Sequence, residues 1–433
     1  MKNTNPFSYS DIFSFLLVTI LLLCPAATSK GQDPAINESI AKHRKGDLIV
    51  KAKKGQEVTV EQLRHEFWFG CAIPNSLAEN SMSEANKKKF KEEFIKHFNC
   101  AVTENAVKWA IMERNKGEVN YAVVDYILNW CEENNIPLRG HNLFWGKKQY
   151  VQPWVMELND NELRQALQHR AESITSRYKG RFAEYDLNNE MLDENYYEQR
   201  LGPDITKLMA QWAHNGDPDA KLFLNEYDIL IPPSGVYSTD FAPGGFGLKE
   251  YMAMIRKFLK QGIPLAGIGV QGHSHLESFD RQWLKNALDS LAVFNLPIRI
   301  TEFNMPGMRS KLSRSQLTPE QEQAKAKEIV DYFKICFAHP AVEGILIWGF
   351  WEGANWIPSS SLYKRDWTPT PAAEVYKNLV YKEWWTKESG TAGRKGIFST
   401  KAFFGKYKVT VNGISKEVDL TKEKGTVTVD FTR

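Results

Sequence analysis

The sequence predicts an α/β fold, a (β/α)8 TIM barrel with a small β layer beside it, and three observations support this prediction. Eight short runs rich in β-branched and aromatic residues recur between residues 66 and 351. Each run is followed by a longer stretch whose apolar residues have helical spacing. Eight such units in roughly 320 residues match a barrel, whereas a doubly wound sheet usually has fewer strands and a phosphate-binding first turn.

The elements of the predicted barrel alternate along the chain. The eight strands comprise residues 66–73, 100–104, 138–145, 182–188, 221–227, 265–272, 298–303 and 344–351. One helix has apolar residues at i, i+3, i+4 and i+7, namely Val124, Ile127, Leu128 and Cys131. Another places Leu163, Leu167 and Ile174 on one face, after the candidate caps Asn159 and Asp160. The other helices comprise residues 207–214, 248–259, 280–294, 320–337 and 372–385.

The two flanks of the barrel carry strand patterns instead. Residues 47–60 alternate around Lys54-Gly55, and the tail holds strand-like runs at 395–398, 407–411, 417–420 and 427–431. We expect an N-terminal hairpin that pairs with the C-terminal strands in one small β layer. The alternative is an independent C-terminal module of about 45 residues, whose core would be marginal by itself. The predicted domains are a signal peptide (1–29), an N-terminal flank with a β-hairpin (30–65), the barrel (66–388) and a C-terminal β extension (389–433).

Composition limits the function. With 42% hydrophobic residues and 55 basic against 52 acidic side chains, the chain is globular, and a net charge of +3 predicts no nucleic-acid partner. Thirteen tryptophans exceed ordinary core needs, which favours a surface that stacks on flat rings such as sugars. We expect a monomer.

The N-terminus predicts secretion. The apolar run 12–24 follows Lys2 and precedes small residues up to Ser29, which is typical of a cleaved signal peptide and is too short for a membrane anchor. Secretion makes Asn37-Glu38-Ser39 a candidate glycosylation acceptor. No membrane association is expected after cleavage. The four remaining cysteines have no zinc-binding spacing and are interpreted as buried small hydrophobes, namely Cys71, Cys100, Cys131 and Cys336.

In a (β/α)8 barrel, chemistry takes place at the C-terminal ends of the strands. The predicted strand ends carry carboxylates, amides, imidazoles and indoles, including Asn225-Glu226-Tyr227. Glu190 and Glu302 each close a strand on opposite sides of the mouth, so they form a candidate catalytic carboxylate pair rather than ordinary surface acids. Their neutral polar neighbours suit sugar hydroxyls.

Other site types are not supported. Gly267-x-Gly269-x-x-Gly272 has the dinucleotide-binding pattern but lies inside the sixth predicted strand, not at a turn that opens a helix. The sequence contains no Gly-x-Ser-x-Gly elbow, no His-Glu-x-x-His and no Walker loop. It therefore predicts neither a metal nor a cofactor.

Six blocks in register resemble the family 10 glycoside hydrolases, the endo-1,4-β-xylanases, over about residues 66–385. The blocks are Thr103-Glu104-Asn105-x-x-Lys108-Trp109, Arg139-Gly140-His141-x-x-x-Trp145, Asp186-x-x-Asn189-Glu190, Gly267-x-Gly269-x-Gln271-x-His273, Ile300-Thr301-Glu302, and Trp348-Gly349 with Trp356. The flanks resemble the plant-type branch, here without an N-terminal carbohydrate-binding module.

The resemblance implies a retaining mechanism in which Glu302 is the nucleophile and Glu190 is the acid/base. It assigns substrate binding to Glu104, Asn105, Lys108, His141, Trp145, Asn189, Tyr227, Gln271, His273, Trp348 and Trp356. The implied substrate is cell-wall xylan, and the implied location is extracellular.

The chain departs from the family pattern at five positions, which are Asn304, Tyr185, Asn188, Gly146 and Glu352. None of them removes a catalytic group, but they can alter the field around Glu302 and the balance between hydrolysis and sugar transfer. Two alternatives therefore remain: a xylan endotransglycosylase, and a non-catalytic xylan-binding barrel. The intact glutamate pair argues against the second.

Overall fold

The computed structural model describes residues 34–232 and 247–432. The predicted signal peptide lies outside the described residues. The strands, in chain order, are β1 (Lys45–Lys51), β2 (Glu57–His65), β3 (Trp68–Ile73), β4 (Cys100–Thr103), β5 (Leu138–Gly140), β6 (Phe144–Trp145), β7 (Glu184–Asn189), β8 (Leu222–Glu226), β9 (Leu265–Val270), β10 (Ile298–Phe303), β11 (Val342–Ile347), β12 (Lys387–Thr391), β13 (Ile397–Phe403), β14 (Gly405–Val411), β15 (Ile414–Leu420) and β16 (Thr426–Asp430).

The helices lie mainly between the barrel strands. They are α1 (Pro34–Arg44), α2 (Glu84–His97), α3 (Trp109–Met112), α4 (Ala122–Glu133), α5 (Pro153–Met156), α6 (Asp160–Arg177), α7 (Tyr196–Leu201), α8 (Ile205–Gly216), α9 (Leu248–Lys260), α10 (Arg281–Ala292), α11 (Pro319–Ala338) and α12 (Pro371–Asn378). Within the described residues, none is both long and apolar enough to cross a bilayer.

The predicted barrel is confirmed. Parallel strands follow one another in the order β5-β4-β3-β11-β10-β9-β8-β7, and pairing of β5 with β7 closes the ring. The third predicted strand is interrupted, because β5 ends at Gly140 and the chain rejoins the sheet only at β6, against the end of β7. The eighth ends at Ile347 rather than at residue 351, since Gly349 takes a left-handed φ of 111° that a strand does not accommodate.

Helix α6 shows why the helical predictions succeeded. The Asn159 side chain accepts hydrogen bonds from the amides of Asn161 and Glu162, and the Glu162 carboxylate accepts one from the Asn159 amide. This capping box makes Asn159 the cap and Asp160 the first helical residue. The final predicted helix is shorter than expected: α12 ends at Asn378, and a π-helical turn follows it.

Strand residues alternate between the inside of the barrel and its helical layer. Cys100 packs with Val102 and Leu346 in one cluster, while Cys71 belongs to the larger core against the helices. All four described cysteines are free and buried, which confirms their interpretation as small core residues. The glycines of the Gly-x-Gly pattern serve packing, because a Cβ on Gly267 would lie 2.0 Å from the Phe223 ring.

The flanking strands form two sheets, and the predicted hairpin is wrong. Strand β1 pairs with β13 and β16, whereas β2 pairs with β12 and β14, so the two N-terminal strands lie in different sheets. This arrangement buries the apolar row Leu48/Val50 against the row Val58/Val60, which a lone hairpin could not do. The expected sharing of a β layer between N- and C-terminal strands is confirmed. We call the two sheets, β13-β1-β16 and β12-β2-β14-β15, the flanking sandwich.

Helix α1 and the flanking sandwich are both joined to the barrel by buried or partly buried contacts. The Arg44 guanidinium, at the end of α1, donates to the carbonyl oxygens of Phe337, His339 and Val342 around the end of α11. The His65 imidazole at the end of β2 lies edge-on to Phe69 of the barrel, with ring centroids 5.2 Å apart. The barrel mouth is formed by the opposite, carboxyl ends of the barrel strands.

Candidate active site

The carboxyl ends of the barrel strands open into one cleft of about 1130 Å³. All thirteen predicted site residues line it, namely Glu104, Asn105, Lys108, His141, Trp145, Asn189, Glu190, Tyr227, Gln271, His273, Glu302, Trp348 and Trp356. They come from seven different strand ends, so only closure of the barrel brings them together.

Glu302 lies on β10 with its carboxylate held by three side chains. Its Oε1 accepts a hydrogen bond from the side-chain amide (Nδ2) of Asn225 at 2.8 Å, and its Oε2 lies 3.2 Å from His273 Nε2. The Nε2 of His141 is 3.8 Å from Oε1. This carboxylate is therefore fixed in position, with donors on both oxygens.

The electrostatics of Glu302 favour its charged form. Burial by itself raises the pKa of Glu302, but the charge of His141, the hydrogen bond and charge of His273, and the Lys108 ammonium outweigh it and lower that pKa to about 2. A buried carboxylate that stays ionised near neutral pH is equipped to act as a nucleophile.

Glu190 follows β7 and adopts a left-handed φ of 55°. Its Oε1 accepts a hydrogen bond from the side-chain amide (Nε2) of Gln271 at 2.8 Å, and its Oε2 accepts one from the Trp145 indole at 3.1 Å. Burial raises the pKa of Glu190, the negative charge of Glu302 adds to the rise, and the Gln271 hydrogen bond and nearby lysines oppose it without cancelling it. This carboxyl therefore retains a proton more readily than a surface glutamate.

A buried relay orients His141 toward Glu302. The Asp186 carboxylate lies 2.9 Å from His141 Nδ1 and also pairs with Arg139, which is fully buried. Because Nδ1 faces Asp186, Nε2 faces Glu302. Thr103 fixes the backbone of His141 by accepting a hydrogen bond from its amide at 3.0 Å. The relay holds a potential cation beside Glu302.

One end of the cleft combines charge with aromatic surface. Burial raises the pKa of Glu104, while the Lys108 ammonium opposes the rise. Lys108 donates to Asn105 Oδ1 at 2.9 Å and lies 4.8 Å from the centre of the Trp145 ring. Such a set can bind several sugar hydroxyls at once.

The tryptophans of the site differ in exposure. Trp356 is 38% exposed on the cleft, and its indole donates to Asn304 Oδ1 at 3.3 Å. Trp348 is almost fully buried yet still lines the cleft, lying edge-on to His141. Trp109 does not line the cleft and packs in the core.

Two departures from the family pattern have a local physical reason. Asn304 both accepts from Trp356 and donates to Ser360 Oγ at 3.0 Å, a donation that an ionised aspartate could not make. Gly146 leaves room for the next loop, since a Cβ there would lie 2.9 Å from Asn195 Oδ1.

Three functional side chains were missed by the sequence prediction. Asn225 was recognised as a strand end but was given no role, although its amide bridges Glu302 and Asn189. Lys147 and Asp193 form an ion pair beside Glu190. Lys147 and Asp193 lie in loops, where strand periodicity does not indicate the direction of a side chain. The signal that could have found them is their proximity in sequence to Trp145 and Glu190. Among the described residues, no three His, Cys, Asp or Glu side chains form a metal-binding group.

A buried, ionised carboxylate and a second carboxyl with raised pKa, in an aromatic-lined cleft at a barrel mouth, define the class of glycoside hydrolases. Residues 60–379 match the family model described as glycosyl hydrolase family 10. The chain belongs to glycosyl hydrolase family 10.

Two curated relatives match most of the chain. The chain is 33% identical over 404 residues to endo-1,4-beta-xylanase 1 of Arabidopsis thaliana, covering 90% of this chain and 40% of that protein. It is also 33% identical over 383 residues to anti-sigma-I factor RsgI6 of Acetivibrio thermocellus, covering 87% and 46%. The chain thus spans less than half the length of these curated relatives.

A solved structure of similar fold is xylanase 10B of Thermotoga petrophila in complex with xylobiose. It superposes with a TM-score of 0.62 at 25% sequence identity, covering 73% of this chain and 95% of that one. The part of the chain left uncovered is of the order expected for the flanking sandwich and the N-terminal residues.

Proposed function

We propose that this protein is an extracellular endo-1,4-β-xylanase that hydrolyses the xylan backbone of cell walls with retention of anomeric configuration. The observation that carries the proposal is the opposite protonation tendency of the two carboxyls, with the pKa of Glu302 lowered and that of Glu190 raised. The xylanase relative from Arabidopsis and the xylobiose complex of the Thermotoga enzyme support xylan as the substrate.

In the first step, the Glu302 carboxylate attacks the anomeric carbon of the sugar while Glu190 gives its proton to the glycosidic oxygen. The bond to the leaving chain breaks, that chain departs with a new hydroxyl group, and the sugar becomes esterified to Glu302. His273 and Asn225 hold the attacking carboxylate through the contacts described above.

In the second step, the charge that raised the pKa of Glu190 is gone, because Glu302 is now an uncharged ester. Glu190, which gave up its proton in the first step, therefore stays ionised and removes a proton from a water molecule, which attacks the same anomeric carbon. Glu302 leaves as a carboxylate, and Glu190 regains the proton. Two inversions at one carbon give overall retention.

The other cleft residues bind and orient the polymer. Asn189 holds the 2-hydroxyl of the sugar that is cleaved, and Gln271 places Glu190 through its 2.8 Å hydrogen bond. Glu104, Asn105 and Lys108 bind the next xylose on the non-reducing side. Tyr227 stacks on the leaving-group side.

Three finer statements belong to the same proposal. Residues 1–29 act as a secretory signal, Asn37 is glycosylated, and the mature protein is a monomer. Asn37 is exposed on α1, which supports its glycosylation. Ser39, the third residue of the same motif, donates a hydrogen bond to the Ala338 carbonyl oxygen. N-terminal sequencing and intact mass of the secreted protein, with and without glycosidase treatment, test the first two; light scattering tests the third.

The proposed activity is tested by the release of reducing ends from xylan by the wild-type protein and by Glu302→Ala. We expect release from the wild type only. No release from the wild type overturns the proposal, and equal release from both overturns the assigned nucleophile. Proton NMR of the first product must show the β-anomer; an initial α-anomer contradicts retention.

The same material separates hydrolysis from transfer. Labelled xylo-oligosaccharides are mixed with polymeric xylan, and label in the polymer is measured against reducing-end formation. Dominant transfer would make the protein an endotransglycosylase, whereas binding to xylan with neither reaction would make it a non-catalytic xylan-binding barrel.

A further inference from the structure

Lys147 lies beside the carboxyl of Glu190, the proposed acid/base, and is not among the predicted site residues. Its ammonium lies 3.8 Å from Glu190 Oε2 and 5.4 Å from the centre of the Tyr227 ring, and it forms an ion pair with Asp193. Lys147 and Asp193 are each about one-fifth exposed, so water screens the pair only partly. One cation is thus shared by two carboxyl groups.

The loops that carry this pair are fixed to each other. Lys147 lies in the loop after β6, and Asp193 lies in the loop after β7. The Lys148 amide donates to Glu194 Oε2 at 2.8 Å, and the Tyr196 amide donates to the Gly146 carbonyl at 2.8 Å. These bonds do not involve the Lys147 side chain, so its charge can be changed without removing the bonds between the loops.

The charged and titratable groups that surround Glu190 come from every element packed against it. They are Lys108 after β4, Lys147 after β6, Asp193 after β7, Glu226 and Tyr227 at the end of β8, and Glu302 on β10. Glu226 is fully buried, and burial raises its pKa well above the ordinary value, so it contributes less negative charge than an exposed glutamate would. Of the two lysines, Lys147 forms a direct ion pair with a carboxylate, that of Asp193.

We propose that Lys147 is a positioning residue for Glu190 and that Asp193 partly neutralises the charge of Lys147. Together the two residues set the pH at which Glu190 gives up its proton. This inference rests on the proposed function, because it assigns Glu190 the acid/base role. A free lysine at 3.8 Å would favour ionised Glu190 strongly and would deplete the acid needed in the first step. Pairing with Asp193 weakens that field, while enough remains to favour the ionised base once Glu302 is esterified.

The proposal predicts shifts of opposite sign in two single variants. Lys147→Met removes the cation and leaves the negative charge of Asp193 unneutralised, so the basic limb of the kcat/KM profile moves up by about one pH unit. Asp193→Asn leaves the cation unmatched, so the limb moves down by a similar amount. The double variant removes both charges and returns the limb close to its wild-type position.

Lys147→Arg is the conservative control, since it retains the charge and should leave the limb unmoved. Lys406→Met is the matched control for loss of an ion pair, because Lys406 pairs with Glu417 in the flanking sandwich at 2.7 Å. The profiles are measured with a short xylo-oligosaccharide, and the melting temperature of each variant is recorded at the same pH values.

A purely structural role for the pair predicts that both single variants lose activity and stability together, with limbs that shift in the same direction or not at all. That outcome overturns the inference. An inactive wild-type protein overturns the proposed function instead, so the two failures are distinguishable.

Discussion

The flanking sandwich and the barrel mouth use the same charged residue types in opposite ways. In the sandwich, Lys406 and Glu417 form an ion pair in which both side chains are about half exposed, and a cluster of hydrophobic residues is buried beneath the surface. At the mouth, Glu302 and His141 are buried, and His273 and Lys108 are partly buried. Water screens the first kind of pair and leaves it worth little, whereas burial turns the second into a large shift in proton affinity. Burial therefore decides whether a glutamate mainly contributes to solubility or has a shifted proton affinity that suits it to acid/base or nucleophilic chemistry.

The largest expected effect is that of Glu302→Ala, which removes the proposed nucleophile. We predict a loss of kcat of at least about 10⁴-fold with no loss of folding. The measurement is reducing-end release from xylan. Lys406→Met, the exposed counterpart, should retain full activity; if it lost activity as well, the contrast between the two regions would collapse.

Glu190→Ala should cost about 10²–10⁴-fold on xylan, the range of a general acid/base. Because an aryl leaving group needs little protonation, an aryl xylobioside should still esterify Glu302 and then stall. Stopped-flow absorbance should therefore show a burst of the released phenol followed by slow turnover. A uniformly slow reaction without a burst would contradict the assignment of Glu190 to both steps.

His141→Gln should weaken the stabilisation of ionised Glu302. Removal of the imidazole charge raises the pKa of Glu302 from about 2, so the acidic limb of the kcat/KM profile moves to higher pH. The sign follows because the ionised form reacts, and a higher pKa leaves less of it at low pH. We expect a loss of about 10–100-fold near pH 4 that shrinks as the pH rises. A loss independent of pH would instead indicate a role in binding alone.

The proposed boundary between the barrel and the C-terminal extension can be tested by ending the chain after Glu388. This removes the partners of β1 and β2 and exposes Leu48, Val50, Val58 and Val60. We predict a chain that aggregates or melts well below the full-length protein. If differential scanning calorimetry showed unchanged melting, the C-terminal strands would be an independent module and the shared sandwich would have no energetic role.

The smallest effect distinguishes the inside of the sandwich from its surface. Val409→Ala, at a fully buried position on β14, should lower the free energy of unfolding by about 2 kcal/mol. Ile414→Ala, at a position 64% exposed on β15, should change it little. Neither variant should alter kcat/KM when corrected for the folded fraction in urea titrations. A change in kcat/KM would indicate coupling between the sandwich and the cleft.

The sequence predicted the barrel and its cleft residues because their signals are local. Strand ends such as Asn189-Glu190 are marked by the change from apolar to polar residues, and closure of the barrel brings such ends to one face. The fate of β1 and β2 was not predictable in this way. Alternation identifies an apolar row on each strand but does not state which sheet will cover it.

The same limit applies to the charges beside Glu190. Lys147 and Asp193 are 46 positions apart in loops after two different strands, and nothing in their spacing specifies that they meet. The protonation behaviour of Glu190 depends on that meeting as well as on burial. The position of Glu190 and Glu302 in the cleft was therefore easier to predict than their protonation behaviour.

The amide of Asn225 also dictates the direction of hydrogen bonding further into the cleft. Asn225 Nδ2 donates to Asn189 Oδ1, which commits that oxygen as an acceptor and leaves Asn189 Nδ2, a buried group with no partner among the described residues, as a donor. In the proposed complex O2 of the sugar accepts from this donor, and because Asn189 is buried, a branch on that oxygen would crowd it. Xylose units that carry a branch on O2 would then not bind at the position of cleavage. The lengths of the products would therefore depend on where the branches lie along the polymer.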